Sequence, residues 1–252
     1  MDAPNTIVCS GPTISAYEIK TILPEACVHH PIRCGDLVKL IRLAPKRIII
    51  IDGYYEGSAA VWHKEILLAM SLGIEVIGCA SMGALRAAEL DQFGMIGMGT
   101  VYEWYRDGVI DGDDEVAVLH HSGQADFLAQ NEALVNIRAS LSIAKAEKLI
   151  NDEQVQRVIY HGKNIFYPFR QYEKIFKNAE AYPGEFSTLF DWLKARAINQ
   201  KYQDALTCLD WAKNHAAQMP IINFKLEETI YLQRLILQMN ADCFSEAYHW
   251  LP

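Results

Sequence analysis

The sequence predicts an α/β protein: an open, mostly parallel sheet with helices on both faces, followed by an all-helical C-terminal domain. Three observations carry this. Apolar β-branched runs alternate with helical patterns through the first hundred residues, at a spacing that implies right-handed crossovers. The run Ile48-Ile49-Ile50-Ile51 shows no polar alternation, as in a strand covered on both faces. From about residue 131 onward only the helical period remains.

The elements follow in order. TIVCS, residues 6–10, is a short strand closed by Gly11-Pro12, and Ser15 with Glu18 reads as a capping box opening a helix. ACVHH, residues 26–30, is a weaker second strand. Asp36 is placed to cap the helix LVKLIRLA, which Pro45 stops before the isoleucine strand ending in Asp52. Residues 59–73 form the next helix, with Trp62, Ile66, Ala69 and Met70 facing the sheet and Gly73 as its stop. IEVIGCA is the following strand and MGALRAAEL the following helix. This order describes a doubly wound, Rossmann-like sheet.

Glycines 94, 97 and 99 then interleave with methionines, and a loop-rich segment over the sheet edge is expected there. The turn Asp111-Gly112-Asp113-Asp114 lacks the spacing of a calcium loop and reads as a solvated acidic turn before the strand-like run VAVLHH. A boundary near residue 125, soft by about ten residues, divides a 1–125 α/β core domain from a 126–252 helical domain. In the latter, Asn151 with Gln154 resembles a cap, and Pro168 and Pro183-Gly184 separate segments.

Composition narrows the function. A chain of 252 residues, 51% apolar, buries a sizeable core, and a net charge of -8 with scattered Lys and Arg argues against nucleic acid as a partner. Six cysteines form no Cys-x-x-Cys pair, and neither a secretory leader nor a membrane-length apolar span is visible. A cytoplasmic protein with free thiols, away from membranes, is expected. Cysteines and histidines match no zinc spacing, and neither a Gly-x-Gly-x-x-Gly turn nor a phosphate loop occurs, so no metal and no cofactor is expected.

Ligands of open α/β sheets bind beyond the carboxyl ends of the strands. That rule selects Ser10-Gly11-Pro12, Asp52-Gly53 and Ala80-Ser81-Met82-Gly83. Gly78-Cys79-Ala80-Ser81-Met82-Gly83-Ala84 has the strand, small-residue turn and helix of a nucleophile elbow, with Cys79 where the first glycine would stand. Ser81 is compatible with a nucleophile, a plain N-cap and an anion-binding turn. His63 is the candidate base, Lys64 the competing base or electrostatic clamp, and His120-His121 a further pair within reach. Tyr102, Trp104 and Tyr105 with Arg106 read as packing, or as the lining of a partner groove.

The stretch from IIDGYYEGSAAVWHKE through GCASMGALRAAEL to YRDGVIDGDDEVAVLH resembles the core of the TfuA-like family. Gly11-Pro12-Thr13-Ile14-Ser15 and RCGDL, residues 33–37, also fit, which carries the resemblance over about residues 5–122; KYQDAL, residues 201–206, resembles a later element of the family. The resemblance implies an accessory role beside YcaO-type enzymes in backbone thioamidation of a precursor peptide or protein, with sulfur drawn from the thiocarboxylate of a ThiS-like carrier. It implies a hydrolase in which Ser81 attacks the carrier's terminal carbonyl, His63 assists with Asp52 orienting it or balancing charge, and Lys64 or Arg86 holds charge. Gly11, Pro12, Arg33, Gly53, Met82, Gly83, Arg86, Tyr105 and Arg106 are the expected binding residues. The alternatives are a non-catalytic coupling protein that recruits carrier or peptide to YcaO, and a nucleotide- or small-molecule-binding module.

Overall fold

The isoleucine run becomes the centre of the sheet. In the computed structural model, which describes residues 4–120 and 127–241, β1 (Thr6–Cys9), β2 (Cys27–His29), β3 (Arg47–Ile50), β4 (Glu75–Cys79) and β5 (Ile96–Met98) pair in the order β2-β1-β3-β4-β5. Every pair is parallel, with Cys9 opposite Ile50 and Ile50 opposite Gly78 at the carboxyl ends. The order reverses between β1 and β3, the position at which such sheets open a crevice. Ile48 and Ile50 enter one apolar core while Ile49 and Ile51 enter another, and all four are fully buried, as a strand covered on both faces requires.

The first face is covered by α2 (Asp36–Ile41), α3 (His63–Ser71) and α4 (Met82–Leu90), the second by α1 (Ala16–Ile22). Ser15 and Glu18 form the expected capping box. Asp36 does not cap: Gly35, at φ 89°, holds the N-cap position, and Asp36 is the first helical residue, its carboxylate accepting from the Arg33 N–H at 3.1 Å. α3 starts at His63, later than residue 59, because the buried Glu65 carboxylate accepts the Trp62 and Gly35 N–H groups at 3.0 and 2.8 Å and ties that end to the start of α2.

Two segments depart from the sequence reading. The Gly-Met stretch supplies a fifth strand, β5, and then α5 (Thr100–Arg106), because pairing Ile77 with Ile96 and Cys79 with Met98 outweighs the poor strand propensity of glycine. The acidic turn is not simply solvated. Arg138 grips the fully buried Glu115 in a two-pronged pair, Arg170, itself fully buried, binds Asp114 at 2.6 Å, and Lys163 reaches Asp111 at 3.0 Å. The following run, expected to be strand-like, makes a single bridge among the described residues, His120 with Ala129.

Four helices, α6 (Leu134–Ala146), α7 (Asp152–Lys163), α8 (Tyr172–Ala179) and α9 (Ser187–Arg196), share a core of their own. The C-terminal helices do not remain with that lobe. α10 (Gln200–Asn214) returns to the sheet and packs Ala205, Cys208, Leu209 and Ala212 against Ile49, Ile51 and Ile77. α11 (Ile230–Ala241) packs Leu232, Leu235 and Ile236 into the core on the other face. A parallel sheet needs both faces covered, and α1 alone is too short to cover the second. The expected boundary at residue 125, like His121, lies outside the described residues.

Candidate active site

Asp52 follows the Ile-rich strand at the switch point, and its side chain is almost wholly buried. Its Oδ2 accepts the backbone N–H groups of Gly11 and Thr13 at 2.9 and 3.0 Å, and its Oδ1 accepts the Thr13 hydroxyl at 2.6 Å. The carboxylate therefore fixes the loop between β1 and α1.

Ser81 lies on the next loop. The Ser81 N–H donates to the Cys79 carbonyl at 2.7 Å across Ala80, which is held at φ +64°, so the strand reverses in a tight γ-turn before α4 begins. A non-glycine residue there stores strain of order 1–3 kcal/mol. Ser81 itself has φ -126° and ψ -125°, and although it occupies the N-cap position its hydroxyl makes no capping hydrogen bond. Ser81 therefore caps α4 through its backbone carbonyl, which accepts the Ala84 and Leu85 N–H groups, and leaves its hydroxyl out of the cap. α4 can begin this close to the sheet because positions 78 and 83 are glycines: a Cβ on Gly83 would collide with the Ile50 carbonyl oxygen, and one on Gly78 with that of Gly83. The Gly83 N–H donates to the Ile51 carbonyl at 3.2 Å, whereas Met82, at the first helical position, has no acceptor for its N–H inside α4.

The residue that completes the crevice comes from far along the chain. Lys201, in the first turn of α10, is 3% exposed; its ammonium donates to the Val116 carbonyl at 2.9 Å and lies 3.8 Å from Asp52 Oδ1. Burial pushes the lysine's pKa below its ordinary value, while the Asp52 charge opposes that shift. Ser81, Asp52, Lys201, Tyr55, Asp113 and His120 all line one small cavity of about 40 Å³, with Pro12, Gly53 and Met82 on its rim. A groove of about 780 Å³ between the sheet and the helical lobe shares Pro12, Val118 and Lys201 with it. Sequence reasoning noted KYQDAL but did not assign Lys201 to the site. The available signal was a lysine and an aspartate, Lys201 and Asp204, on a helix face whose other buried residues are Ala205, Cys208, Leu209 and Ala212; the Asp204 carboxylate accepts the Val101 N–H at 2.7 Å.

The structure does not bring His63 to Ser81. His63 Nε2 bonds Glu89 at 2.8 Å, the Arg86 guanidinium reaches the same carboxylate at 2.6 Å, and Arg86 Nε donates to the Val61 carbonyl at 3.2 Å. Glu89 lies seven residues along α4 from Met82, about 10 Å down the helix from the elbow. Lys64 donates to the Glu227 carbonyl at 3.3 Å, and His63, Lys64, Arg86 and Trp62 line a separate surface groove. The pairing of Asp52 with His63 is likewise replaced, since Asp52 spends its acceptors on the β1–α1 loop. Arg33 is half-exposed beside Asp36, outside the crevice. Tyr105 is buried with its hydroxyl donating to the Gly112 carbonyl at 2.9 Å, and Arg106 pairs with Asp107 at 2.8 Å on the surface; both are packing and surface residues. Gly11 contributes its N–H to Asp52, and Gly83 serves the close approach of α4. Cys79 faces α10, where hydrogen bonding to Cys208 and burial push its thiol pKa up and keep it protonated.

The chain is thus a doubly wound α/β protein with a buried serine, lysine and aspartate gathered at its topological switch point. Residues 52–171 match the TfuA-like protein family, so the resemblance seen in the sequence holds, over a span that starts at Asp52 and continues into the helical lobe. That family is associated with peptide modification of the thioamidation type. No curated protein matches the chain. Among the described residues no helix is long and apolar enough to cross a membrane.

Proposed function

We propose that this protein hydrolyses the thiocarboxylate of a ThiS-like sulfur carrier and releases sulfide to a YcaO-type enzyme for backbone thioamidation of a ribosomal peptide or protein. The observation that carries this reading is Ser81, with its hydroxyl uncommitted to capping, on a strained strand–helix turn beside a buried lysine. Serine needs a base, and a desolvated lysine is a recognised partner in serine nucleophile sites. Lys201 in its neutral form takes the Ser81 proton as the oxygen attacks the carrier's terminal carbonyl. The C–S bond then breaks, the proton passes to sulfur, and hydrosulfide leaves an acyl-serine. Water, deprotonated by the same amine, hydrolyses that ester, regenerating Ser81 and leaving the carrier's carboxylate. In this reading the Met82 N–H, at the positive end of α4, holds the oxyanion.

The groove beside the cavity suits the approach of an extended chain end, since the amide side chains of Gln130 and Gln171 line it and can pair with peptide groups. A second reading, a coupling protein that recruits carrier or peptide to YcaO without chemistry of its own, draws on the Trp62, His63, Lys64 and Arg86 surface, which lies apart from the crevice.

The test is sulfide release from a purified thiocarboxylated carrier, followed alongside the intact mass of the protein. Ser81→Ala should reduce release by at least about 10³-fold. Equal release by wild type and Ser81→Ala would sink the serine mechanism, and thioamidation sustained without any carrier cleavage would favour the coupling reading.

A further inference from the structure

The β2–α2 connection gathers three side chains that the crevice does not use. β2 is an edge strand and ends at His29, whose register partner is Cys9 on β1. On a continuing strand His29 and His30 would point to opposite faces. Here Pro31 follows at once, and the turn brings the two imidazoles together with ring centroids 3.8 Å apart and planes inclined by 41°. Each ring has its Nδ1 against a backbone carbonyl, His29 to His30 O at 2.9 Å and His30 to Pro31 O at 2.8 Å. A carbonyl only accepts, so both Nδ1 atoms carry the hydrogen and both Nε2 atoms keep their lone pairs. An imidazole that donates one N–H to a carbonyl and offers the other nitrogen is the form in which histidine binds metal.

Asp36, at the first turn of α2, brings the third donor. It is 5% exposed, and its only described partners are the Arg33 N–H at 3.1 Å and the Arg33 guanidinium at 3.7 Å, both on Oδ2. One ligating atom from each of His29, His30 and Asp36 lies within 4.8 Å of the others. A tetrahedral shell of about 2.1 Å radius spaces its ligands by about 3.4 Å. Metal binding would draw the three ligand atoms closer than they stand in the metal-free arrangement, by rotation of the two imidazoles.

The geometry points to a binding site for a divalent metal of the zinc class, held by His29, His30 and Asp36. Two imidazoles with one carboxylate favour zinc, cobalt or nickel over magnesium or calcium, which take all-oxygen shells. Three protein ligands leave a coordination position open, and a cleft of about 230 Å³ lined by His29, His30, Ser10, Gly11 and Phe127 adjoins the two histidines. The metal would cross-link the end of β2 to the start of α2, against the loop whose Gly11 N–H holds Asp52. Zinc spacing rules based on pairs three or four residues apart do not register adjacent histidines with an aspartate six residues on.

The test uses the full chain, stripped with a chelator and titrated with Co²⁺ by visible absorption and with Zn²⁺ by calorimetry. One equivalent of Co²⁺ should bind with ligand-field bands of a four- or five-coordinate site. His29→Gln and His30→Ala, each folded by circular dichroism, should each weaken binding at least about 100-fold. Arg33→Ala, which removes a competing cation from Asp36, should retain or strengthen it. Absence of a ligand-field band in the wild type, or affinity unchanged in both histidine variants, would overturn the site.

Discussion

Ser81 and His63 stand at the starts of consecutive helices on the same side of the same sheet, yet their surroundings are opposite in kind. Ser81 is buried, sits on a strained turn and shares a cavity with a desolvated lysine and a fully bonded aspartate. His63 is half-exposed, and its imidazole and Arg86 converge on Glu89 in an open groove. The comparison teaches that polar residues of one sequence motif need not serve one site. Burial changes the chemistry of the first cluster, because a lysine taken out of water loses its proton more readily. Solvent screens the second, where an exposed ion pair contributes little.

The comparison can be broken or sharpened by variants taken in descending order of effect. After Ser81, the largest loss should come at Lys201. Lys201→Met should lower sulfide release by about 10²- to 10⁴-fold, the range of a general base, and Lys201→Arg should not restore it because a guanidinium keeps its proton. The wild-type rate should rise with pH as Lys201 loses its proton, and that limb should begin below the ordinary lysine value of 10.5, since burial depresses the pKa. The same shift means that the unfolded chain binds the proton more tightly than the folded one. Stability should therefore rise with pH between the depressed value and 10.5, and Lys201→Met should flatten that rise in denaturant melts.

Next comes Gly83→Ala, a change in packing and not in chemistry. The added methyl meets the Ile50 carbonyl, so the variant should lose about 1–3 kcal/mol, or fail to fold, in urea titration. The smallest effect should be at the second cluster. His63→Ala should keep sulfide release within about twofold of wild type; a loss comparable to that of Lys201→Met would return the histidine to the mechanism and erase the contrast.

Much of the fold was legible from periodicity and punctuation. The isoleucine run, the Ser15 capping box and the small residues of GCASMGA report on contacts made within a few positions, so local sequence carries them. β5 was hidden because its central Gly97 has poor strand propensity, Gly94 and Gly99 lie close on either side, and only pairing with β4 makes the segment a strand. Asp36 was misread as a cap because Gly35 can adopt positive φ and take that position instead. Lys201 was hidden for a different reason: its significance rests on Asp52 and Val116, and no pattern within α10 refers to either.

The sequence by itself determined the alternation of strands and helices, the doubly buried central strand, the elbow at Ser81 and the TfuA-like character of the segment that holds them. Each of these follows from backbone preference and burial of nearby side chains. The tertiary structure decided which charged groups meet. It tied Asp52 to the β1–α1 loop, sent His63 to Glu89, returned α10 across the sheet with Lys201 and folded His29, His30 and Asp36 together. Those outcomes depend on which helix covers which face, a choice fixed by the total apolar area buried across the whole chain, and short-range pattern does not encode it.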